Sequence, residues 1–184
     1  ALSLLRPDII QELDLVKHGF LPLFMPNTFA PMEDGDYLLL TGDEQFNDQE
    51  IARHSKRDAD AMHRVEHDMN RVAQVVKPLF DKAPPDIFSD SPDDQADVAW
   101  LVKHLRGVDK KVMHDLVRLL TGSCSDFLDD YFESDIVKAT LASSSIIGTK
   151  VGPMSQGSGL VLLYHKMGEH DASFGAWAFH KGGN

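Results

Sequence analysis

The chain has 184 residues, 42% of them hydrophobic and 26% charged, which is ordinary for a soluble globular protein with a sizeable core and argues against disorder. Eighteen basic residues against 29 acids give a formal charge of −11. Phosphate recognition needs clustered Lys and Arg, so nucleic acids and anionic membrane surfaces are poor partners. The single cysteine, Cys124, excludes an internal disulfide and a thiolate zinc site and fits a reducing, cytoplasmic setting, free or at the periphery of a membrane. No apolar run reaches the ~18 residues of a membrane span, and none looks like a signal core.

In chain order, Pro7 suits the first turn of a helix over 7–15, with Gly19 after its end. Residues 20–28 and 37–41 read as paired strands around the turn formers Pro31, Asp34 and Gly35. Pro22 and Pro26 each remove a ladder donor and demote the first strand to an edge. A short helix over 49–54 precedes the clearest long one, which opens at Ser55 and Asp58 and reaches about residue 77 before Pro78. Its apolar stripe is Ala59, Met62, Val65, Met69, Val72, Val76 and Leu79. Residues 81–94 hold three of the nine prolines and many acids and read as a surface loop that tucks in one aromatic.

Helices resume over 96–106, stopped by Gly107, and 110–120, stopped near Gly122. Ser123 with Asp126, and Ser134 with Asp135, mark two further helix starts. Phe127, Leu128, Tyr131 and Phe132 form the apolar face of the first; Ile136, Val137, Thr140, Leu141 and Ser144 continue in the second, towards Gly148. A third helix enters through 155–159 and runs over 160–167, with Gly168 as its stop. Residues 174–180 alternate as a strand that sends Trp177 and Phe179 to one face and Ala176 and Ala178 to the other. The fold class is therefore α+β, mainly α, with a small mixed or antiparallel sheet from 20–41 and 172–181 and a helical part over 48–170 interrupted by the loop 81–95.

Candidate chemistry is thin. His63-Arg64-Val65-Glu66-His67 fits the H-x-x-E-H zinc pattern, but the helix phase puts both histidines opposite the apolar stripe, facing solvent, and no third ligand is evident; no metal site is expected. Gly157-Ser158-Gly159 at a helix start serves close packing rather than an anion, because no strand precedes it. No serine sits in a G-x-S-x-G elbow. Cys124 reads as a small core residue whose thiol the nearby Asp126 would hold protonated, and His165, His170 and His180 as structural histidines.

SLLRPDIIQELDL with the following HG, FAPMEDGDYLLL, EIARHSKRDA, DFLDDYFESDIVKATLA with IIGT, GPMSQGSGLVLLYHKMG and GAWAFHKGGN are spread along the whole chain. In their order and spacing the sequence resembles the phytoene dehydrogenase-like FAD-dependent oxidoreductases, and within them the branch of pyridine nucleotide-disulfide oxidoreductase domain-containing proteins. The resemblance implies an N-terminal strand, G-x-G-x-x-G loop and helix for the flavin pyrophosphate, and these residues contain none. The expectation is an interior piece of a larger oxidoreductase, 1–184 being one partial substrate domain that lacks the FAD half. FAD would belong to the parent protein, with none bound tightly by this piece alone. Catalytic residues stay unassigned; the resemblance places Trp177, Phe179, Gly182 and Gly183 near substrate and flavin, where glycine lets backbone approach the ring system. It implies dehydrogenation of a small apolar substrate by hydride transfer to flavin. The alternative is a non-enzymatic helical module that binds a protein partner. Residues 160–167 and 175–179 are expected either to join a homo-oligomer or to be covered by a rearranged terminus, since a terminal hairpin and helix have little to cover so many apolar residues.

Overall fold

The computed structural model describes residues 5–25, 27–80, 82–170, 173–174 and 178–181, with backbone alone at Phe24, Glu169, His170, Ser173 and Phe174. The elements run α1 (Pro7–Glu12), β1 (Pro22–Phe24), β2 (Thr28–Pro31), β3 (Tyr37–Leu40), α2 (Glu44–His54), α3 (Lys56–Phe80), α4 (Pro92–Arg106) and α5 (Lys110–Thr121). They continue with α6 (Cys124–Asp129), α7 (Asp135–Ala142), a 3-10 turn (Ser143–Ile146), α8 (Ser158–Lys166), β4 (Glu169–His170), β5 (Ser173–Phe174) and β6 (Ala178–His180). The chain is α+β and mainly helical, as composition and periodicity indicated.

The long helix α3 carries the core. Ala59, Met62, Val65, Met69, Val72 and Val76 are buried along one face, and Leu79 is half-buried at its end. Against them lie Leu116 and Leu119 of α5, Phe127 and Leu128 of α6, Val137 of α7, and Leu162 and Leu163 of α8. Burying such a side chain stabilises by about 1.5–3 kcal/mol. Helix α8 packs on α3, α5, α6 and the 3-10 turn. Leu162, Leu163 and Met167, expected to offer an association surface, are thus covered by the chain's own helices. The part of that surface over 175–177 lies outside the described residues.

The strands depart from the expected single sheet. Three separate antiparallel pairs form: β1 with β6, β2 with β3, and β4 with β5. Residues 20–28 do not pair with 37–41 as one strand. Thr28–Pro31 does so, because the turn from Met32 to Asp36, with Gly35 at φ 88°, fixes the register immediately beside it. Pro22–Phe24 instead meets Ala178–His180, with Leu23 opposite Phe179. In a two-stranded ladder every strand is an edge, so Pro22 is tolerated there; Pro26 lies outside the described residues.

Helix ends also moved, for identifiable reasons. Helix α1 stops at Glu12, and Asp14 already has φ 48°. Helix α2 begins five residues earlier than read, because the Asp43 carboxylate accepts the Phe46 N–H at 3.1 Å. Helix α3 continues past Pro78 to Phe80. Helix α4 starts at Pro92, where proline occupies the first turn and acts as a starter rather than a breaker. The loop before it tucks in no aromatic: Ile87 is 68% and Phe88 90% exposed. The segment read as one helix towards Gly148 tightens into the 3-10 turn, with Ser143 and Ser145 hydroxyls donating to the carbonyls of Thr140 and Ala142.

Two expected caps behave differently from each other. Ser123 caps α6 as read, accepting the Asp126 N–H at 3.0 Å. Ser134 makes no side-chain cap; the buried Asp58 of α3 instead anchors the entry to α7, accepting the N–H groups of Glu133 and Ser134 at 2.9 and 2.8 Å. Replacing Asp58 by Ala removes the acceptor of both part-buried donors and is expected to cost about 1–3 kcal/mol, measured as a lowered urea midpoint at unchanged m-value.

Candidate functional site

An apolar groove of about 540 Å³ lies between the end of α3, the segment 82–85, α4, α5 and the start of α8. Its walls are Leu79 and Phe80, Trp100 and Leu101, Leu116 and Leu120, with Leu160 at the base of α8. Among the described residues on it the charged ones are Lys82 and Asp97, and they pair with each other at 2.7 Å. Lys82 Nζ also stands 4.9 Å from the centre of the Trp100 ring. His104 lies parallel to that ring at 5.2 Å and donates through Nε2 to the Val75 carbonyl at 2.8 Å, which fixes the indole from behind. Volume and lining match a small-molecule site for an apolar ligand. Sequence reading missed this groove, because α4, with no fully buried residue, carries its apolar side chains to a cleft and not to the core.

A second cavity of about 370 Å³ lies beyond Phe80 and Leu160, between α8 and residues 147–149. A third, about 290 Å³, is more polar and sits between α3, the β2–β3 hairpin, α7 and α8, with Glu66 and Lys166 among its lining residues.

Of the residues expected near substrate and flavin, Phe179 is described: it sits on β6, 46% exposed, opposite Leu23. Trp177, Gly182 and Gly183 lie outside the described residues. Beside Phe179, the His180 ring stacks on Phe20 at 5.7 Å, and its Nδ1 accepts the Leu21 N–H at 3.3 Å. His165 is buried and donates from Nδ1 to the Val161 carbonyl at 2.9 Å, a structural role as read.

His63 and His67 face solvent as their helical phase required, each with a carboxylate of its own, Asp48 at 3.0 Å and Asp68 at 3.3 Å. The Asp48 hydrogen bond holds the His63 imidazole above its ordinary value. Among the described residues no three His, Cys, Asp or Glu come together as a metal site. Cys124 is fully buried, and burial rather than the charge of Asp126 pushes its thiol up.

The Gly157–Gly159 start of α8 does not fit a flavin pyrophosphate. The N–H groups of Gly157 and Gly159 both donate to the Gly122 carbonyl, at 2.9 and 3.4 Å. The Ser158 hydroxyl, fully buried, accepts the Cys124 N–H at 2.8 Å and lies within hydrogen-bond distance of the Pro153 and Ser155 carbonyls. A Cβ on Gly159 would meet the Leu119 carbonyl oxygen at 2.8 Å, so this glycine is a device for close helix packing.

A polar network ties α3, α5 and the residues after α6 together. Lys111 Nζ donates to Asp68 and Asp115, both at 2.7 Å, and the Tyr131 hydroxyl donates to Asp68 at 2.9 Å. Burial pulls the Lys111 ammonium down, but its two carboxylate partners outweigh that and leave it raised. Burial and the Asp68 bond both push the Tyr131 phenol up, which keeps it protonated as a donor to Asp68.

With this geometry in place, comparison with known proteins gives one consistent name. The chain is similar to pyridine nucleotide-disulfide oxidoreductase domain-containing protein 2. The rat (Rattus norvegicus) relative is 38% identical over a 196-position alignment covering 99% of this chain, and the mouse (Mus musculus) relative is 37% identical over the same coverage. In both cases the alignment takes in 34% of the relative, so the chain spans about a third of the length of the curated relatives it matches. No family model and no solved structure matches. The name is that of the branch to which the dispersed segments pointed. Among the described residues no helix is long and apolar enough to cross a membrane.

Acid should loosen the α3–α5 contact first. Burial raises the Asp68 carboxyl, but hydrogen bonds from Lys111, Tyr131 and His67 win and hold it below its ordinary 3.8. A depressed carboxyl contributes stability that is full above 3.8 and is lost as pH falls through the folded value. Urea midpoints are expected to fall as pH drops below 3.8, and Asp68→Asn to flatten that fall; an equal fall in the variant would contradict it.

Proposed function

We propose that this chain is the substrate-binding part of a flavin-dependent oxidoreductase of the phytoene dehydrogenase-like kind, which dehydrogenates an apolar substrate. The observation that carries the reading is the 540 Å³ groove, walled by aliphatic and aromatic side chains with its one ion pair internally neutralised. The oxidoreductase name of relatives aligned over 99% of the chain supports it.

In this reading FAD is held by residues other than those described, since the Gly157–Gly159 start spends its N–H groups on Gly122. When bound, the flavin supplies the hydride acceptor. The groove's contribution is binding and orientation: Trp100, braced by His104, offers a flat face, and the leucines of α5 strip water from the substrate's apolar body. Phe179 on β6, with Trp177, Gly182 and Gly183, is proposed to face the flavin, which the half-exposed Phe179 side chain supports. A reducing, cytoplasmic setting agrees with the lone buried thiol of Cys124.

The test uses the chain in its whole reading frame. The purified protein is expected to carry one flavin whose absorbance bleaches with an apolar substrate. Leu120, 42% exposed on the groove wall, tolerates replacement without loss of core. Leu120→Asp is expected to raise KM about tenfold or more at unchanged flavin content, because a carboxylate desolvates badly against an apolar ligand. A protein without flavin that instead co-purifies with a polypeptide at the groove would replace this reading with the helical interaction module.

A further inference from the structure

The 540 Å³ groove and the 370 Å³ cavity beside it share two lining residues, Phe80 and Leu160. The two therefore adjoin at these side chains. Leu160 belongs to the first turns of α8 and is half-buried there. Phe80 is different: it is the last residue of α3, 55% exposed, and its recorded ring contact is a tilted one with Tyr164, centroids 5.7 Å apart. Tyr164, itself 38% exposed, lines the second cavity and not the first. A ligand extending from the groove along α8 therefore meets Phe80 before it meets Tyr164.

The second cavity continues the apolar chemistry of the first. Ile147, Val161 and the Tyr164 ring form its walls, and among its described lining residues there is no Asp, Glu, Lys or Arg. Residues 147–149 close it on the far side, with Gly148 at φ 76° turning the backbone. A half-exposed aromatic at a helix end swings at little cost compared with one locked in a core, whose rotamer is set by packing on every side.

We propose that Phe80 is the residue that sets substrate length: its ring partitions one extended apolar site into two compartments, and its rotation against Tyr164 admits the end of a long, unbranched apolar chain to the second. This rests on the groove being the substrate site and adds which side chain limits what fits. The ligand class is an elongated aliphatic molecule rather than a compact ring system, because the two apolar cavities adjoin at Phe80 and Leu160.

The experiment measures displacement of a fluorescent apolar dye from the full chain by primary 1-alkanols, from hexanol to dodecanol. While added carbons enter the site, affinity is expected to climb about fourfold per methylene, and to level off where the chain meets the limit. Phe80→Ala is expected to move the levelling-off to longer alkanols, and Phe80→Trp to shorter ones, with circular dichroism unchanged in both. The same limit in wild type, Phe80→Ala and Phe80→Trp overturns the partition while leaving the groove as a site. Absence of alkanol binding in the folded wild type overturns both. Should Phe80→Ala lose its fold, Phe80→Leu replaces it, with the same shift to longer chains required.

Discussion

Asp58 has no solvent exposure, yet it carries a carboxylate into the middle of a mainly helical protein. The cost of that burial is offset because both oxygens accept backbone N–H groups, from Glu133 and Ser134, at the point where α7 begins. Ser55 locks the same junction from the other side: its hydroxyl accepts the Asp58 N–H at 3.1 Å and donates to Glu133 at 2.8 Å. The start of α3 and the start of α7 are thereby pinned to each other across 75 residues of chain. The positions of α6, α7 and the 3-10 turn against the α3 stripe follow from that pin, since the chain between them is short.

The second constraint is steric. Gly159 brings the α8 backbone against the α5 backbone at Leu119, and the Gly122 carbonyl receives the N–H groups that begin α8. With the helices this close, Leu160 reaches the groove floor while Leu162 and Leu163 stay in the core. The groove is thus a consequence of how α8 enters. Helix α4 closes it from outside without a buried residue of its own, so this wall has fewer core contacts to hold it than the others.

Similarity to oxidoreductase domain-containing relatives three times as long gives this arrangement its context. The described residues bring an apolar cleft with a braced indole and no cluster of acids or bases within it. Under the proposed function the redox chemistry would belong to a cofactor, with this cleft selecting and orienting the substrate.

Much of the fold was legible in the residues themselves. The seven-position stripe of α3, the cap at Ser123, the solvent-facing phase of His63 and His67, and the tight-packing role of Gly157–Gly159 follow from period, side-chain chemistry and the missing Cβ, all of which are local. Other features depended on partners distant in sequence. A run such as 20–28 carries the same alternation whichever strand it meets, so only the folded chain decided that 22–24 joins 178–180 while 28–31 joins 37–40. Pro92 reads equally as a breaker or a first-turn residue until the backbone before it is fixed. The apolar residues of α4 and α5 look like any core stripe; whether they fill a core or line a cleft is set by how far apart the helices stand, and that distance is decided by the glycine contacts and buried hydrogen bonds of other elements.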